Sequence, residues 1–192
     1  MRRVILAAGL AALALAACEE RRPPQPGETP APEAPRAPSL NGFAYSASGD
    51  ISGFFLPVSD VVIGDQALDH LFIGRASDFS DWQGGQRSDT FAPIMFEFED
   101  RASELVTNEM GQEVRTNRPR VLPDAYAVSD DAIRFTGQHP TLGVVSFEGR
   151  LDTDALNQAR RAIGSSQTVL TGALRVGERT FEGQSFVWYG GD

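Results

Sequence analysis

Between residues 43 and 189, apolar and polar side chains alternate in short runs that glycines interrupt. Successive side chains of a strand point to opposite faces of a sheet, so a period of two is typical of strands with one buried face. The run 91–99, for example, places an isoleucine and two phenylalanines on one face and two glutamates on the other, and Pro93 favours an edge position for the start of this strand. The pattern predicts a mainly β fold, either an antiparallel β-barrel or a β-sandwich.

One segment follows a helical period instead. Leu156, Ala159 and Ile163 fall on the same face of a helix, and Asp152 lies at its start. A second aspartate lies in the first turn, two arginines lie in the last turn, and a glycine follows. These features predict one short α-helix, over about residues 154–163, that packs on the sheet.

Two other segments are less regular. Residues 77–83 can form one further helical turn that places Phe79 and Trp82 on one side. Residues 100–112 fit neither a strand nor a helical period, and we expect a loop there.

A three-residue pattern that ends in glycine recurs in the second half of the chain. Residues 135–137 and 147–149 are echoed by residues 170–172 and 181–183, at offsets of 35 and 34 residues. Two copies are too few for a repeat architecture. The echo predicts two similar hairpins, one on each side of the helix.

The aromatic residues mark the extent of the folded part. All seventeen lie within residues 41–192, which we therefore assign to a single β-rich globular domain. Residues 18–40 contain seven of the twelve prolines and no aromatic residue. Such a segment buries too little surface to offset the entropy lost on ordering, so we expect a disordered tether. Recognition of its prolines by an aromatic groove of a partner is the alternative.

The composition excludes several classes of function. The net charge of −9 argues against a nucleic-acid partner, and the absence of lysine excludes every lysine-dependent mechanism. Two histidines and one cysteine cannot build a three-histidine zinc site or a cysteine-rich cluster. We expect no cofactor and no metal ion.

The start of the chain has the features of an export signal. Two arginines precede an unbroken run of fourteen apolar or small residues, Val4 to Ala17, which is short for a membrane span of about 20 residues. The run ends in Leu15-Ala16-Ala17-Cys18. This ending resembles the lipobox of bacterial lipoproteins, an aliphatic residue and two small residues before a cysteine. An ordinary signal peptide or a short membrane anchor is the alternative.

The resemblance implies a processing path and a location. It implies that residues 1–17 are a signal peptide that is removed, and that Cys18 then carries a diacylglycerol and an acyl chain such as palmitate on its amine. Two or more acyl chains hold a protein stably on a membrane. Because Glu19 is not the aspartate that signals inner-membrane retention in enterobacterial lipoproteins, the resemblance favours the outer membrane, with the domain facing the periplasm.

The sequence contains no recognisable arrangement of catalytic groups, and we expect a protein that is not an enzyme. The chain has no Gly-x-Ser-x-Gly motif, and its single cysteine is assigned to lipid attachment. His70 lies in an apolar run, where a structural role is typical, and His139 precedes a proline in an expected exposed turn. Glu97 and Glu99 are expected on the wet side of their strand.

Two groups of residues are candidates for ligand binding. Arg115, Arg118 and Arg120 form a basic cluster in an acidic domain and could bind a phosphate or carboxylate. The alternative is a solvated face that nearby Glu109, Glu113 and Asp124 neutralise. Trp82 and Trp188, with Phe54, Phe55 and Phe72, could line a cavity, although core packing explains them equally well.

Two functional hypotheses follow. The first is a lipid-anchored envelope lipoprotein with a periplasmic, non-catalytic β-domain that has a structural or accessory role. The alternative is a binding module that takes an apolar small molecule or lipid in the interior of a β-barrel or in an aromatic cleft. The partners expected are the membrane, through the N-terminal lipid, and an envelope protein or a lipid.

Overall fold

A computed structural model describes residues 40–162 and 164–191. The expected signal peptide, the lipid attachment site Cys18 and nearly all of the expected tether lie outside the described residues, and so does Ile163. Neither helix in the described part of the chain is long and apolar enough to cross a membrane.

The described residues contain thirteen strands and two helices. The first five strands are β1 (Phe43–Tyr45), β2 (Gly53–Pro57), β3 (Val62–Ile63), β4 (Gln66–Ile73) and β5 (Ile94–Asp100), and helix α1 (Ala76–Gln83) lies between β4 and β5. The next four are β6 (Leu105–Thr107), β7 (Glu113–Arg115), β8 (Arg120–Val121) and β9 (Pro123–Val128). The last four are β10 (Ala132–His139), β11 (Gly143–Leu151), β12 (Thr168–Val176) and β13 (Arg179–Tyr189), with helix α2 (Thr153–Ala159) between β11 and β12.

One large sheet holds most of these strands. Ten strands follow the order β1-β9-β10-β11-β12-β13-β2-β4-β5-β8, and β3 pairs with β4. Every pairing is antiparallel except that of β1 with β9. Only Leu122 separates β8, at one end of this order, from β9, next to the other end. The chain therefore connects the two ends of the sheet, which curls into a half-barrel. The predicted mainly β fold is confirmed.

The inside of the curl is filled with aromatic side chains. Phe55, Phe96, Phe135, Phe147 and Phe186 are all at most 2% exposed. The rings of Phe96 and Phe147 lie 5.8 Å apart in an edge-to-face arrangement, and those of Phe147 and Phe186 lie 5.6 Å apart. Such contacts add to the free energy gained by burying the rings. The concave face of the sheet is therefore the core of the domain.

Both helical predictions are confirmed, with altered bounds. The Asp152 carboxylate caps α2 by accepting a hydrogen bond from the Ala155 N–H at 2.9 Å, and Leu156 and Ala159 are buried. Helix α2 ends at Ala159, earlier than predicted. Helix α1 is a full second helix, rather than a single turn, and it buries Phe79 and Trp82 as expected.

The two hairpins that the echo predicts are confirmed, but the loop expected over residues 100–112 is wrong in part. β10 pairs with β11, and β12 pairs with β13, on either side of α2. The start of strand β5 pairs only with β4, because β8 pairs with Phe96 and Glu97 alone, so the edge position expected for this start is confirmed. Residues 100–112 are not only a loop, since β6 lies within them and forms a separate hairpin with β7.

Candidate ligand-binding cleft

An open cleft of about 640 Å³ lies on the convex face of the sheet, over β2, β4, β5 and β13. Alternate residues of these strands face away from the core, and here they are largely aromatic or charged. Met95 of β5 forms part of the cleft, and Met110 of the β6–β7 hairpin, which is 78% exposed, lines it too. A cleft of this volume is within the range of small-molecule sites.

One part of the cleft is an aromatic wall formed by Phe54, Phe72, Phe91 and Tyr189. The ring centroid of Phe72 lies 5.4 Å from that of Phe54 and 5.6 Å from that of Phe91, and Phe54 lies 6.4 Å from Tyr189. Phe91 and Tyr189 are 41% and 42% exposed. Large aromatic side chains grouped on a surface in this way mark a binding surface more often than isolated exposed ones do.

The other part of the cleft depends on a β-bulge in β4. The register with β5 shifts between Leu68 and His70, so that Asp69 is an extra residue without a pairing partner. A bulge redirects side chains that would otherwise alternate, and both Asp69 and His70 line the cleft. The His70 Nδ1 lies 2.8 Å from the Asp69 Oδ2, and its ring packs edge-on against Phe54 with centroids 5.0 Å apart.

Two arginines connect this bulge to a buried carboxylate on β5. The Nη2 of Arg118 contacts Asp69 and lies 2.9 Å from the Oε1 of Glu97. The Nε of Arg120 donates to the Oε2 of Glu97 at 2.8 Å, and its Nη1 donates to the Thr90 carbonyl at 3.0 Å. Glu97 is only 3% exposed. A charge at this depth needs such partners, and the two guanidinium groups supply them.

The same contacts fix the ionisation of Asp69. Burial alone would raise the pKa of this carboxyl, but the hydrogen bond to His70 and the Arg118 guanidinium outweigh that effect and hold the pKa below its usual value. Asp69 is therefore a carboxylate at neutral pH and fixes the position of Arg118.

The arginines also present donors to the cleft. Their side chains are 34% and 45% exposed, whereas the Glu97 side chain between them is 4% exposed. Within the described residues, the Nη1 of Arg118 and the Nη2 of Arg120 make no hydrogen bond. The polar end of the cleft thus offers guanidinium N–H groups that buried carboxylates hold in place, a geometry suited to oxygen acceptors.

The other predicted site residues lie elsewhere. The Nη1 of Arg115 donates to the Ser103 carbonyl at 2.8 Å, outside the lining of the cleft. Trp82 is 6% exposed in the core beside Phe43, with the Arg87 guanidinium 4.6 Å from its ring. Trp188 is partly buried and lines a second cavity. Of the predicted phenylalanines, Phe54 and Phe72 lie in the cleft and Phe55 lies in the core.

Three sequence interpretations of charged and polar residues are wrong. Glu97 does not lie on a wet face, because the convex face of the sheet is covered there by Arg118 and Arg120. The acids that pair with these arginines are Asp69, Glu97 and Glu99, not Glu109, Glu113 and Asp124. His139 is 3% exposed and packs on Phe98 with ring centroids 4.9 Å apart, so it is not in an exposed turn.

Asp69, His70 and Glu97 bring candidate metal-ligating atoms within 4.8 Å of one another. The spacing of these residues in the sequence gives no sign of this grouping, because it depends on the bulge and on strand pairing. However, the Arg118 guanidinium already contacts both carboxylates. Its positive charge opposes a cation at the same place, so the donor set fits an ion-pair network better than a metal site.

Searches of protein-family models, curated proteins and solved structures found no match to this chain.

Proposed function

We propose that this chain is a lipid-anchored envelope lipoprotein whose domain binds an amphipathic small molecule or lipid in the convex cleft, without catalysing a reaction. The lipobox-like ending at Cys18 supports the anchor, and Glu19 supports the outer membrane. The domain would then face the periplasm on its proline-rich tether. Of the two hypotheses drawn from the sequence, the geometry favours the binding module over a purely structural role.

The observation that carries this proposal is the placement of two kinds of chemistry in one cleft. The aromatic wall contributes exposed apolar surface, and Arg118 and Arg120 contribute N–H donors next to it. An amphipathic ligand satisfies both, because its apolar part covers the rings while its polar oxygen atoms accept from the guanidinium groups. The barrel interior is less suitable, since phenylalanine rings fill it.

The lining of the cleft supports binding rather than covalent catalysis. The described residues that line it include no serine, threonine or cysteine. His70 is held between Asp69 and Phe54, and both carboxylates are engaged by arginine. These groups are positioned by one another and are well suited to a rigid recognition surface.

A fluorescent fatty acid whose emission rises in apolar surroundings tests the proposal. Titrated into the full chain carrying Cys18→Ser, it should give a saturable signal that unlabelled palmitic acid removes. Phe91→Ser should weaken binding about tenfold, because Phe91 is a wall residue. Val144→Ser, at a residue that is 44% exposed on β11, is the matched control and should leave binding unchanged. Equal affinities of the two variants would overturn the proposal.

A further inference from the structure

A second cavity of about 400 Å³ adjoins the end of β13 and the segment that follows α2. Ala162, Val187, Trp188 and Gly190 contribute to its lining. Trp188 lies over the position that a side chain would occupy at Gly53, and its Nε1 donates to the Ser52 carbonyl at 3.0 Å. This N–H already has its acceptor, and the Arg160 guanidinium lies 5.2 Å from the ring centroid, so a ligand can contact only the remaining apolar surface of the indole.

The two cavities adjoin each other, and we refer to them together as the groove. Leu56, Tyr189 and Gly191 line both of them. Leu56 pairs with Val187, and Phe54 pairs with Tyr189, so that these side chains lie beside each other across β2 and β13. Trp188 pairs with the core residue Phe55 and so faces the other side of β13. The second cavity therefore meets the aromatic wall only at the shared residues, near the end of that strand.

The two ends of this groove differ in their polar groups. At the end over β4 and β5, Arg118 and Arg120 have guanidinium nitrogens without partners among the described residues. At the Trp188 end, both terminal nitrogens of Arg160 are engaged, with Asp50 Oδ2 at 2.9 Å and the Ser52 carbonyl at 2.7 Å. The Nε of Arg160 has no hydrogen-bond partner in the described part of the chain, but it is buried, so the exposed guanidinium donors are concentrated at the end over β4 and β5.

From this placement of donors we infer that the ligand is a single-chain amphiphile whose oxygen-bearing head accepts hydrogen bonds. Asp69, Glu97 and Glu99 already balance the charges of the two arginines, so the head is selected by its acceptor oxygens. The head lies at Arg118 and Arg120, and the acyl chain crosses Leu56 and Tyr189 and ends against Trp188. This inference rests on the proposed function and specifies its ligand class and the direction in which the ligand lies. A free fatty acid and a lysophospholipid share this chemistry.

Bromine quenches tryptophan fluorescence on contact, so brominated acyl chains can locate the tail. The full chain carrying Cys18→Ser is titrated with palmitic acid brominated next to its terminal methyl, with palmitic acid brominated next to its carboxyl, and with unbrominated acid. A parallel series uses lysophosphatidic acid with the same labels, and the tighter-binding series identifies the source of the head. Terminal bromine should quench at least twice as much of the fluorescence as bromine near the carboxyl.

Two variants test whether the quenched residue is Trp188 and whether the tail lies in the second cavity. Trp188→Phe should abolish it, because the remaining tryptophan, Trp82, is 6% exposed in the core and lines neither cavity. Ala162→Phe, which narrows the second cavity, should weaken binding of a sixteen-carbon acid about tenfold and leave an eight-carbon acid unaffected. Asn157→Phe, on the exposed face of α2, is the control for the added ring and should change neither.

The outcomes separate the inference from the proposed function. Saturable binding with stronger quenching by bromine near the carboxyl, or with equal quenching by both, would overturn the inference and leave the cleft as a binding site. Quenching that survives Trp188→Phe would overturn the inference in the same way. No binding of either amphiphile would overturn both proposals.

Discussion

At the scale of single residues, His139 shows why burial cannot be predicted from neighbours in the sequence. Its Nδ1 accepts hydrogen bonds from the backbone N–H groups of Thr141 and Leu142, both at 3.2 Å, and its ring packs on Phe98. The sequence places it before a proline and suggests an exposed turn. The contact with β5 that buries it is long-range, and no local pattern encodes it.

This environment predicts a pH-dependent stability. Burial lowers the pKa of His139 below its usual 6.5, and a proton on Nδ1 would meet the two N–H groups that already point at it. The unfolded chain therefore binds this proton more readily, so stability is fully present above pH 6.5 and is lost as the pH falls through the folded pKa. His139→Asn keeps an acceptor and cannot be protonated. Urea unfolding should show that the wild type is less stable at pH 5 than at pH 7, and an equal loss in the variant would contradict the assignment.

Gly53 is a second residue whose role depends on one contact. Its φ is +142°, and a Cβ there would lie 2.1 Å from the Nε1 of Trp188. Gly53→Ala should therefore lower the free energy of unfolding by about 2–4 kcal/mol, through backbone strain and displacement of the indole. Gly49→Ala, where a Cβ meets nothing within 4 Å, should have little effect. Chemical unfolding monitored by tryptophan fluorescence measures both, and similar losses would refute the packing of Trp188 against β2.

At the scale of elements, the glycine echo has a structural cause. Gly149 pairs with Gly172 across β11 and β12, and the Phe147 ring lies where a Cβ would point at both positions. Glycine two residues after an aromatic residue thus lets the ring lie flat on a strongly curved sheet. Gly183, in the last copy, has a φ of +65° and lies beside a register shift between β12 and β13. In the second hairpin the first copy has Leu170 in place of an aromatic residue, and a Cβ at Gly183 would meet nothing within 4 Å. The two hairpins therefore share the spacing of their glycines but not this contact.

The site was less predictable than the strands. Alternation identifies β5 but gives no sign that Glu97 is buried, since its arginine partners lie more than twenty residues later. The bulge at Asp69 is likewise invisible in the apolar pattern, because it adds one polar residue to a strand. The sequence did identify Arg118 and Arg120 as candidates, but Arg115 and Trp82 lie outside the cleft.

The packing of α2 gives a prediction at this scale. Leu156 is 1% exposed, so Leu156→Asp buries an unpaired charge and should cost about 3 kcal/mol or more. Asn157→Asp, on the exposed face of the same helix, should change stability by less than about 0.5 kcal/mol. Thermal unfolding followed by circular dichroism compares the two, and equal effects would mean that the helix has been assigned the wrong buried face.

At the scale of the whole molecule, we propose that a lipid at Cys18 keeps a self-contained domain near a membrane that supplies amphiphiles. Radiolabelled palmitate should be incorporated by the wild-type chain and not by Cys18→Ser. Because residues 41–192 contain no cysteine, the variant should still fold and should leave the outer-membrane fraction. A wild-type chain that takes up no label would contradict the lipobox interpretation, whereas the binding cleft would be unaffected.

The methionines report on whether the convex cleft binds an amphiphile. The chain has three, and both described methionines, Met95 and Met110, line the cleft. The methionine methyl groups are labelled with carbon-13, and the Cys18→Ser chain is titrated with palmitic acid. The methyl resonances of Met95 and Met110 should both shift and should saturate together at one equivalent. Tight binding that leaves the Met95 and Met110 methyl resonances unchanged, or no binding at all, would contradict the account.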